Sequence, residues 1–282
     1  MNQPTQQSQS DAKAHPNAAP LDQAPRRKHD IAPDDPRRLR GPLSFVRRSE
    51  RLSGGQERAW QAHQQDYVIA PVRGTGITSV DPHWRFDAVT EFGRKAPLTV
   101  EIGSGQGENI VAAAAQHPQQ NFLAVEVYIP GLARTVVRAQ ELLEGDRFDG
   151  RVALPNLRLL EANAPEFLLH SVPPGSVDEL WVFFSDPWPK ARHHKRRLIN
   201  PPFIAAAAQA LRPDGLMRLA TDWQDYADHM LEVLDASDLF DNVQGPGQRS
   251  PRFECRVLTA FENKGIEAGR QISDFTYRRR EA

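Results

Sequence analysis

The sequence predicts an α/β fold in which a mostly parallel sheet is flanked by helices. From Pro97 onward, apolar segments of strand length alternate with segments whose apolar residues recur at helical spacing. This alternation implies parallel strands joined by right-handed crossovers. Glycines follow the first of these strands and an Asp-Pro pair follows a later one, as is typical of ligand sites at the carboxyl edge of such a sheet.

Five strands and four helices are predicted in the central part of the chain, and a strand pair near its end. The predicted strands cover 98–102, 121–127, 157–160, 180–184 and 215–220. The predicted helices cover 109–116, 132–143, 202–211 and 226–236, with a short helix before them at 56–64. The last strand pair is predicted at 253–261 and 271–277, joined by a loop that contains glycine. Within that pair, Cys255 is interpreted as a small packing residue.

Composition bounds the class of protein. The 282 residues include 35 Lys and Arg against 36 Asp and Glu, so only local clustering of basic residues can indicate a nucleic-acid partner. A single cysteine excludes an internal disulfide and favours a reducing compartment, which makes the cytoplasm the expected location. Apolar runs long enough for a membrane span and a secretory signal are not found.

The chain is predicted to consist of a tail and one domain. Residues 1–40 are rich in Gln, Pro, Ala and Asp and contain almost no large apolar side chains. Such a segment cannot bury enough apolar surface to offset the entropy of ordering it, so it is predicted to be disordered. Residues 41–282 are then expected to form the folded domain.

A glycine loop follows the first strand of the alternating region. It reads Glu101-Ile102-Gly103-Ser104-Gly105-Gln106-Gly107, and Glu108 stands next. The spacing Gly-x-Gly-x-Gly departs from the Gly-x-Gly-x-x-Gly fingerprint of dinucleotide sites, and acids beside the loop disfavour a pyrophosphate. They suit a ligand that carries an amino group or a positive charge, and S-adenosylmethionine carries both.

Polar side chains at two further strand ends support the same cofactor. Glu126 closes the second strand at the distance where an acid contacts ribose hydroxyls in nucleotide-binding folds. Asn163 follows the third strand, where its amide can pair with an adenine edge. A glycine loop alone is a weak signal, but three successive strand ends with ligand-binding groups predict a cofactor site.

The fourth strand leads into Asp186-Pro187-Trp188, and a dense basic segment comes directly afterwards, from Lys190 to Arg197. Its position beside a carboxylate at the sheet edge indicates an anionic partner such as a nucleic acid. Trp188 either stacks on a base or packs against its proline neighbours. The His193-His194 pair lacks a matching set of ligands elsewhere, so no metal site is predicted.

These motifs together resemble the bacterial tRNA (guanine-N7-)-methyltransferases of the TrmB type. The matching motifs are Glu-Ile-Gly-x-Gly-x-Gly, Val-Glu-Val-Tyr-x-Pro-Gly, Asp-Pro-Trp-x-Lys-x-Arg-His-x-Lys-Arg-Arg, Ala-Thr-Asp-Trp and Thr-x-Phe-Glu-x-Lys-Gly, and the resemblance runs from about Ser44 to about Tyr277. It implies a class I S-adenosylmethionine-dependent methyltransferase, Rossmann-like, with a seven-stranded, mostly parallel sheet. It also implies methylation of guanosine 46 in the variable loop of tRNA.

The resemblance also implies roles for single residues. The cofactor is expected on Glu101, Gly103, Gly105, Gly107, Glu126, Asn163 and Asp186, and Asp186 is the expected catalytic residue. The tRNA substrate is expected on Lys190, Asp222, Thr259, Ala260, Phe261 and Glu262. Departures from the family pattern are Ser104 in place of an aromatic residue, Pro189 and Ala191 in place of polar or basic residues, and Arg270 in place of a frequent histidine.

Three other functions remain open from the sequence. A nicotinamide-dependent oxidoreductase is disfavoured by the glycine spacing and by the flanking acids. A non-catalytic RNA-binding module with the same fold is disfavoured because every matched chemical position is filled. Methylation of another acceptor is the third alternative, and the basic segment argues against a small molecule but not against another RNA. Monomer and homodimer are equally open.

Overall fold

The computed structural model describes residues 51–144 and 153–281. The predicted disordered tail at 1–40, the start of the predicted domain at 41 and the resemblance between Ser44 and Arg48 lie outside these residues. None of the helices in the described ranges is long and apolar enough to cross a membrane.

Eight strands form one sheet in the order β1-β4-β3-β2-β5-β6-β8-β7. The strands are β1 (Val68–Ile69), β2 (Leu98–Ile102), β3 (Asn121–Glu126), β4 (Leu157–Glu161), β5 (Val177–Phe183), β6 (Leu211–Thr221), β7 (Phe240–Asn242) and β8 (Ser273–Arg279). The pairs from β1 to β6 are parallel, and β8 runs antiparallel to both β6 and β7. The predicted α/β class with a mostly parallel sheet is confirmed. Within the described residues the sheet has eight strands rather than seven, because the short β1 adds an edge.

The helices cover both faces of this sheet. They are α1 (Gly54–Tyr67), α2 (Ala88–Phe92), α3 (Glu108–Gln116), α4 (Ile129–Leu143), α5 (Ala164–Glu166), α6 (Pro201–Ala210), α7 (Gln224–Asp235) and α8 (Ala260–Glu267), with a π-helical turn at Phe167–Ser171 and a 3₁₀ helix at Ala191–Arg196. Two separate clusters of buried apolar residues lie on the two faces. The central strands β2 and β3 are buried on both faces, which explains their continuous apolar sequence.

The prediction for the chain end is wrong in one element. Residues 253–259 form an irregular segment, not a strand, and α8 follows it. Cys255 accordingly lies in a turn. The strand that pairs with β8 on its outer side is β7, which the sequence did not predict.

Candidate active site

A cavity lies at the carboxyl edge of the parallel strands. Parallel pairing in register brings the ends of β2, β3, β4 and β5 to this edge. Its lining includes eight of the residues predicted for the cofactor and the substrate: Glu101, Gly103, Gly105, Glu126, Asn163, Asp186, Thr259 and Phe261. Five others lie outside the lining: Gly107, Lys190, Asp222, Ala260 and Glu262.

The glycine loop and α4 approach each other closely at two glycines. Gly107 precedes α3 with φ 74°, and a Cβ added there would lie 2.4 Å from Thr135 in α4. At Gly131, the Cβ would lie 2.3 Å from the carbonyl oxygen of Gly105. Gly131 belongs to the Tyr-x-Pro-Gly motif, for which no structural role was predicted from the sequence. The helix α4 therefore touches the cofactor loop directly, and only glycine permits the approach.

Glu101, at the end of β2, is a buried acid with one open oxygen. Its Oε2 has no hydrogen-bond partner among the described residues. Burial raises the pKa of Glu101 to about 8, and the nearby carboxylates of Glu126 and Glu108 raise it further, whereas the polar groups of Asn109 and Ile110 lower it. An unpartnered buried carboxylate oxygen of this kind suits a cationic ligand group such as an ammonium.

Glu126 has a structural role that the sequence did not reveal. Its Oε2 accepts a hydrogen bond from the Gly105 N–H at 2.9 Å, and its Oε1 accepts from the N–H groups of Val127 and Tyr128 at 2.7 and 3.1 Å. The carboxylate therefore ties the end of β3 to the glycine loop. Glu126 also lines the cavity, and its contact with ribose hydroxyls stays a prediction.

Asn163 caps the short α5 and marks the apolar end of the cavity. Its backbone N–H donates to the Thr78 carbonyl at 2.6 Å, and its side-chain oxygen faces the Glu166 N–H at a long 3.5 Å. Ala162, Ala164 and Pro165 line the cavity beside it. A planar heterocycle with a polar edge fits such surroundings.

Asp186 sits in a strained loop that the protein fixes from several sides. Phe184 and Trp188 have φ angles of 54° and 47°, which are costly for residues other than glycine and are typical of functional sites. The Phe184 N–H donates to the Ala220 carbonyl at 2.8 Å, and Arg197 Nε donates to the Pro187 carbonyl at 3.0 Å. The loop around Asp186 is therefore held in one conformation.

Some residues of the basic segment form contacts within the protein, and others are exposed. Arg197 is buried and forms an ion pair with Asp225, and the guanidinium of Arg196 lies 3.6 Å from the centre of the Trp188 ring. Trp188 is itself buried, so it packs within the protein as one of the two sequence interpretations expected. The cations that remain exposed beside Asp186 are Lys190, Arg192 and Lys195.

Among the described residues, no group of three His, Cys, Asp or Glu side chains is arranged to hold a metal ion.

The wall opposite the strand ends is formed by α8 and the segment before it. Thr259 caps α8 by accepting from the Glu262 N–H at 3.2 Å, and the Phe261 ring would lie 3.9 Å from a Cβ on Gly105. The carboxylate of Glu262 forms ion pairs with the buried Arg256 and with the partly exposed Arg252. Thr259 and Phe261 therefore line the cavity, while Glu262 anchors the helix beneath it.

Asp222 and the arginines near the end of the chain lie at positions in the fold that were not predicted from the sequence. Asp222 forms an ion pair with Arg270 at 2.8 Å and packs under Gly265 of α8. Arg278 pairs across the sheet with Leu216, at the opposite edge from Asp186, because β8 is antiparallel. The basic residues at this end of β8 therefore lie away from the Asp186 loop.

Known proteins share both the motifs and the length of this chain. The family model Methyltransf_4, described as "Putative methyltransferase", matches residues 95–275. A tRNA (guanine-N(7)-)-methyltransferase of Paenarthrobacter aurescens (strain TC1) is 45% identical, over 85% of this chain and 92% of its own length. Proteins of the same name from Cutibacterium acnes (strain DSM 16379 / KPA171202) and Nocardioides sp. (strain ATCC BAA-499 / JS614) are 46% and 42% identical, over 85% and 95% of this chain and over 84% and 99% of their own lengths.

One solved structure with a similar chain path, the 16S rRNA methyltransferase KamB, is 18% identical over 76% of this chain and 100% of its own, with a TM-score of 0.48. The sequence relatives are far more similar to this chain in identity, and the matches cover 84% to 99% of the relatives' own lengths. The resemblance drawn from the motifs is thereby confirmed, and this chain belongs to the family of bacterial tRNA (guanine-N(7)-)-methyltransferases.

Proposed function

We propose that this protein transfers the methyl group of S-adenosylmethionine to N7 of guanosine in tRNA, at position 46 of the variable loop. The observation that supports this most directly is the shared cavity: Glu101, which has an unpartnered carboxylate oxygen, and Asp186 both line it, and exposed cations follow Asp186 closely in the chain. The printed name of the relatives, tRNA (guanine-N(7)-)-methyltransferase, supports the same reaction.

The residues present fit the cofactor. The unpartnered Oε2 of Glu101 suits its α-amino group, Glu126 suits the ribose hydroxyls, and Asn163 suits an adenine edge. The tight glycine loop, including Gly103, Gly105 and Gly107, allows a ligand to approach the backbone closely. When bound, S-adenosylmethionine supplies an electrophilic methyl group on a positively charged sulfur.

The chemistry requires positioning rather than proton removal. Guanine N7 carries a lone pair and no proton, so attack on the methyl group needs no general base. We assign Asp186 an orienting and electrostatic role, because its loop is fixed by the contacts of Phe184 and Pro187. A carboxylate that accepts from both N1–H and the 2-amino group of guanine also excludes adenine, which lacks both donors.

The remaining predicted substrate residues are assigned by their places around this cavity. Thr259 and Phe261 line it and are proposed to contact the base, whereas Ala260 and Glu262 are proposed to act through the position of α8. Lys190 is exposed four residues after Asp186 and is proposed to contact O6 or a phosphate. Asp222 lies under α8 in an ion pair with Arg270, so its contact with substrate is proposed at that junction.

The exposed cations beside the cavity are proposed to hold the RNA backbone. Lys190, Arg192 and Lys195 lie on the segment that directly follows the Asp186 loop. N7 faces the deep, narrow groove of an RNA helix, so the target guanosine must lie in an irregular region or be turned outward. A tRNA substrate agrees with the cytoplasmic location that the sequence predicts, and that location stays a prediction.

The test is methyl transfer from labelled S-adenosylmethionine to an unmodified tRNA transcript, followed by nucleoside analysis. We expect label in 7-methylguanosine, and none in a transcript that carries adenosine at position 46. Asp186→Ala is expected to lower the rate by about 10²- to 10³-fold, as does the loss of one electrostatic group elsewhere.

The matched control for this experiment is Asp241→Ala, which removes an exposed carboxylate of the far edge strand β7 and is expected to retain the wild-type rate. Label in another nucleoside would replace the proposed acceptor with a different one. An Asp186→Ala variant as active as the control would remove Asp186 from the reaction.

A further inference from the structure

Glu108, the first residue of α3, contacts the start of α8. Its Oε2 accepts a hydrogen bond from the backbone N–H of Ala260 at 2.9 Å, although the two residues lie 152 positions apart in the chain. Ala260 is the first residue of α8, and the N–H groups of a first helical turn have no acceptor inside their own helix. Glu108 therefore provides a cap for α8 from a distant part of the sequence.

This cap works together with a local one. Thr259 accepts from the Glu262 N–H at 3.2 Å, and Glu108 accepts from the N–H of Ala260. The carboxylate of Glu108 also places a negative charge at the helix end where the backbone dipoles leave a partial positive charge. Both contacts fix the position at which α8 begins.

The carboxylate of Glu108 is held on its other side by α4. Arg138 forms an ion pair with Glu108 Oε1 at 3.4 Å, and its Nε donates to the carbonyl of Gln106 in the glycine loop at 3.2 Å. One carboxylate oxygen thus faces the arginine that contacts the glycine loop, and the other faces the start of α8. The side chain of Glu108 therefore connects the two walls of the cavity.

The next residue of α3 makes a second contact with the segment that leads into α8. Asn109 is buried, and its Oδ1 accepts from the Val257 N–H at 2.9 Å. The start of α3 thus holds the chain at Val257 and at Ala260, on either side of Thr259. Phe261 follows directly, and Thr259 and Phe261 both line the cavity.

We propose that Glu108 is a positioning residue for the tRNA substrate, because it sets the place of Thr259 and Phe261 relative to the glycine loop. The inference rests on the proposed function, in which these two residues contact the base. The Phe261 ring would lie 3.9 Å from a Cβ on Gly105, so this wall and the loop are close neighbours. A small displacement of α8 therefore changes the space that the target base enters.

The usual role of an acid in the first turn of a helix is different. Such a residue stabilises its own helix through the helix dipole and needs no partner elsewhere. Loss of that role in α3 alone would change stability or cofactor binding rather than the affinity for tRNA. The ion pair between Arg256 and Glu262 holds the first turn of α8 from the protein interior, so the loss of Glu108 is expected to displace α8 without unfolding it.

The experiment compares Glu108→Ala with Glu108→Gln and measures the dissociation constants of an unmodified tRNA transcript and of S-adenosylhomocysteine. For Glu108→Ala we expect tRNA affinity to fall by about five- to tenfold, as for the loss of a helix cap, while S-adenosylhomocysteine affinity changes by less than about twofold. Glu108→Gln keeps an oxygen acceptor for the Ala260 N–H and is expected to recover most of the tRNA affinity. Hydrogen exchange of the Ala260 amide should accelerate in the alanine variant and not in the glutamine variant.

A double-mutant comparison with Phe261→Ala tests whether Glu108 acts through the wall. Phe261→Ala alone is expected to weaken tRNA binding. Adding Glu108→Ala should then weaken it further by clearly less than Glu108→Ala does by itself, since one of the residues that Glu108 positions is already gone. Losses that multiply would mean that Glu108 acts on the RNA independently of Phe261, and they would overturn the inference.

The matched control is Glu57→Ala. Glu57 is likewise an acid in the first turn of a helix, α1, but it is exposed and lies outside the lining of the cavity. Its substitution is expected to leave both dissociation constants at the wild-type values.

Three results would contradict the positioning role. They are wild-type tRNA affinity in Glu108→Ala, equal losses in Glu108→Ala and Glu108→Gln, and a loss of S-adenosylhomocysteine affinity as large as the loss for tRNA. Failure of the proposed function looks different, because the wild type would then leave N7 of tRNA unmethylated.

Discussion

The cofactor side and the substrate side of the cavity are held in place by different kinds of contact. On the cofactor side, Glu101 and Glu126 are placed by the register of adjacent parallel strands, and backbone N–H groups complete the arrangement. On the substrate side, α8 is held by buried ion pairs that join residues from separate segments. The first side depends on backbone geometry and the second on charged side chains.

This difference determines how each side responds to substitution. A site held by backbone contacts tolerates substitutions of exposed side chains. It does not tolerate an added side-chain atom where two backbone segments lie in close contact. A buried ion pair tolerates changes in the size of the side chains around it, but the loss of one partner leaves a buried charge unpaired. We therefore expect substitutions on the two sides of the cavity to change different measured quantities. The following variants distinguish the two sides.

The largest effect is expected from Arg256→Met. Arg256 is fully buried, contacts Glu262 at 2.5 Å and binds Asp274 through both carboxylate oxygens at 2.9 and 3.0 Å. Its removal takes the ion-pair partner from the buried Asp274 carboxylate and leaves Glu262 paired with Arg252 alone, which costs about 3–5 kcal/mol in the free energy of unfolding. Denaturant unfolding measures this loss, and KM for tRNA is expected to rise more than KM for the cofactor.

The control for this prediction is Arg280→Met in the same terminal hairpin. Arg280 pairs with Asp241 at 2.8 Å in an exposed position, so its loss should cost less than about 1 kcal/mol. Arg256→Lys keeps one positive charge and should fall between the two. Equal unfolding midpoints for Arg256→Met and Arg280→Met would show that the buried network does not hold α8.

A smaller and more local effect is expected from Gly131→Ala. The added methyl would lie 2.3 Å from the Gly105 carbonyl oxygen, so either α4 or the glycine loop must shift. A shift of this size at a binding loop is expected to weaken cofactor affinity by about 10- to 100-fold, which calorimetry with S-adenosylhomocysteine measures. Gly55→Ala in α1, where nothing lies within 4 Å of the added Cβ, should bind normally. Equal affinity in the two variants would contradict the close approach.

The same division explains what could be predicted from the sequence. The strands β2 to β5 and the residues at their ends are local signals, since apolar runs, glycines and polar closing residues lie next to each other in the chain. The positions of Glu101, Glu126, Asn163 and Asp186 at one cavity followed from parallel pairing alone. The hydrogen bond from the Gly105 N–H to Glu126 did not, because it depends on side-chain orientation.

The segment before α8 shows why the rest escaped prediction. Phe253, Cys255 and Val257 alternate with polar residues, which is the pattern of a half-buried strand. In the structure, Arg256 is the buried member, because it meets Glu262 and Asp274 from distant parts of the chain. A charged residue reads as exposed in any local pattern, so its burial by distant partners cannot be recovered from spacing. The short β7 was missed because two of its three residues are polar.

The smallest effect, and the one specific to the cofactor side, is the proton balance of Glu101. Its pKa of about 8 means that the ligand-free protein carries a neutral Glu101 at pH 7, whereas pairing with an ammonium requires the carboxylate. Binding of S-adenosylhomocysteine at pH 7 should therefore release close to one proton. Calorimetry in buffers of different ionisation enthalpy measures that number, and Glu101→Gln should release none.

The sign of the accompanying stability change follows from the same pKa. Between the ordinary value of 4.5 and about 8, the folded protein keeps a proton that the unfolded chain has lost. The free energy of unfolding of the ligand-free protein should therefore fall as pH rises through this range. Affinity for the ligand should rise over the same range, until the amino group of the ligand itself deprotonates. Proton release near zero at pH 7, with affinity independent of pH, would mean that Glu101 is already ionised and that the open oxygen is satisfied without the cofactor.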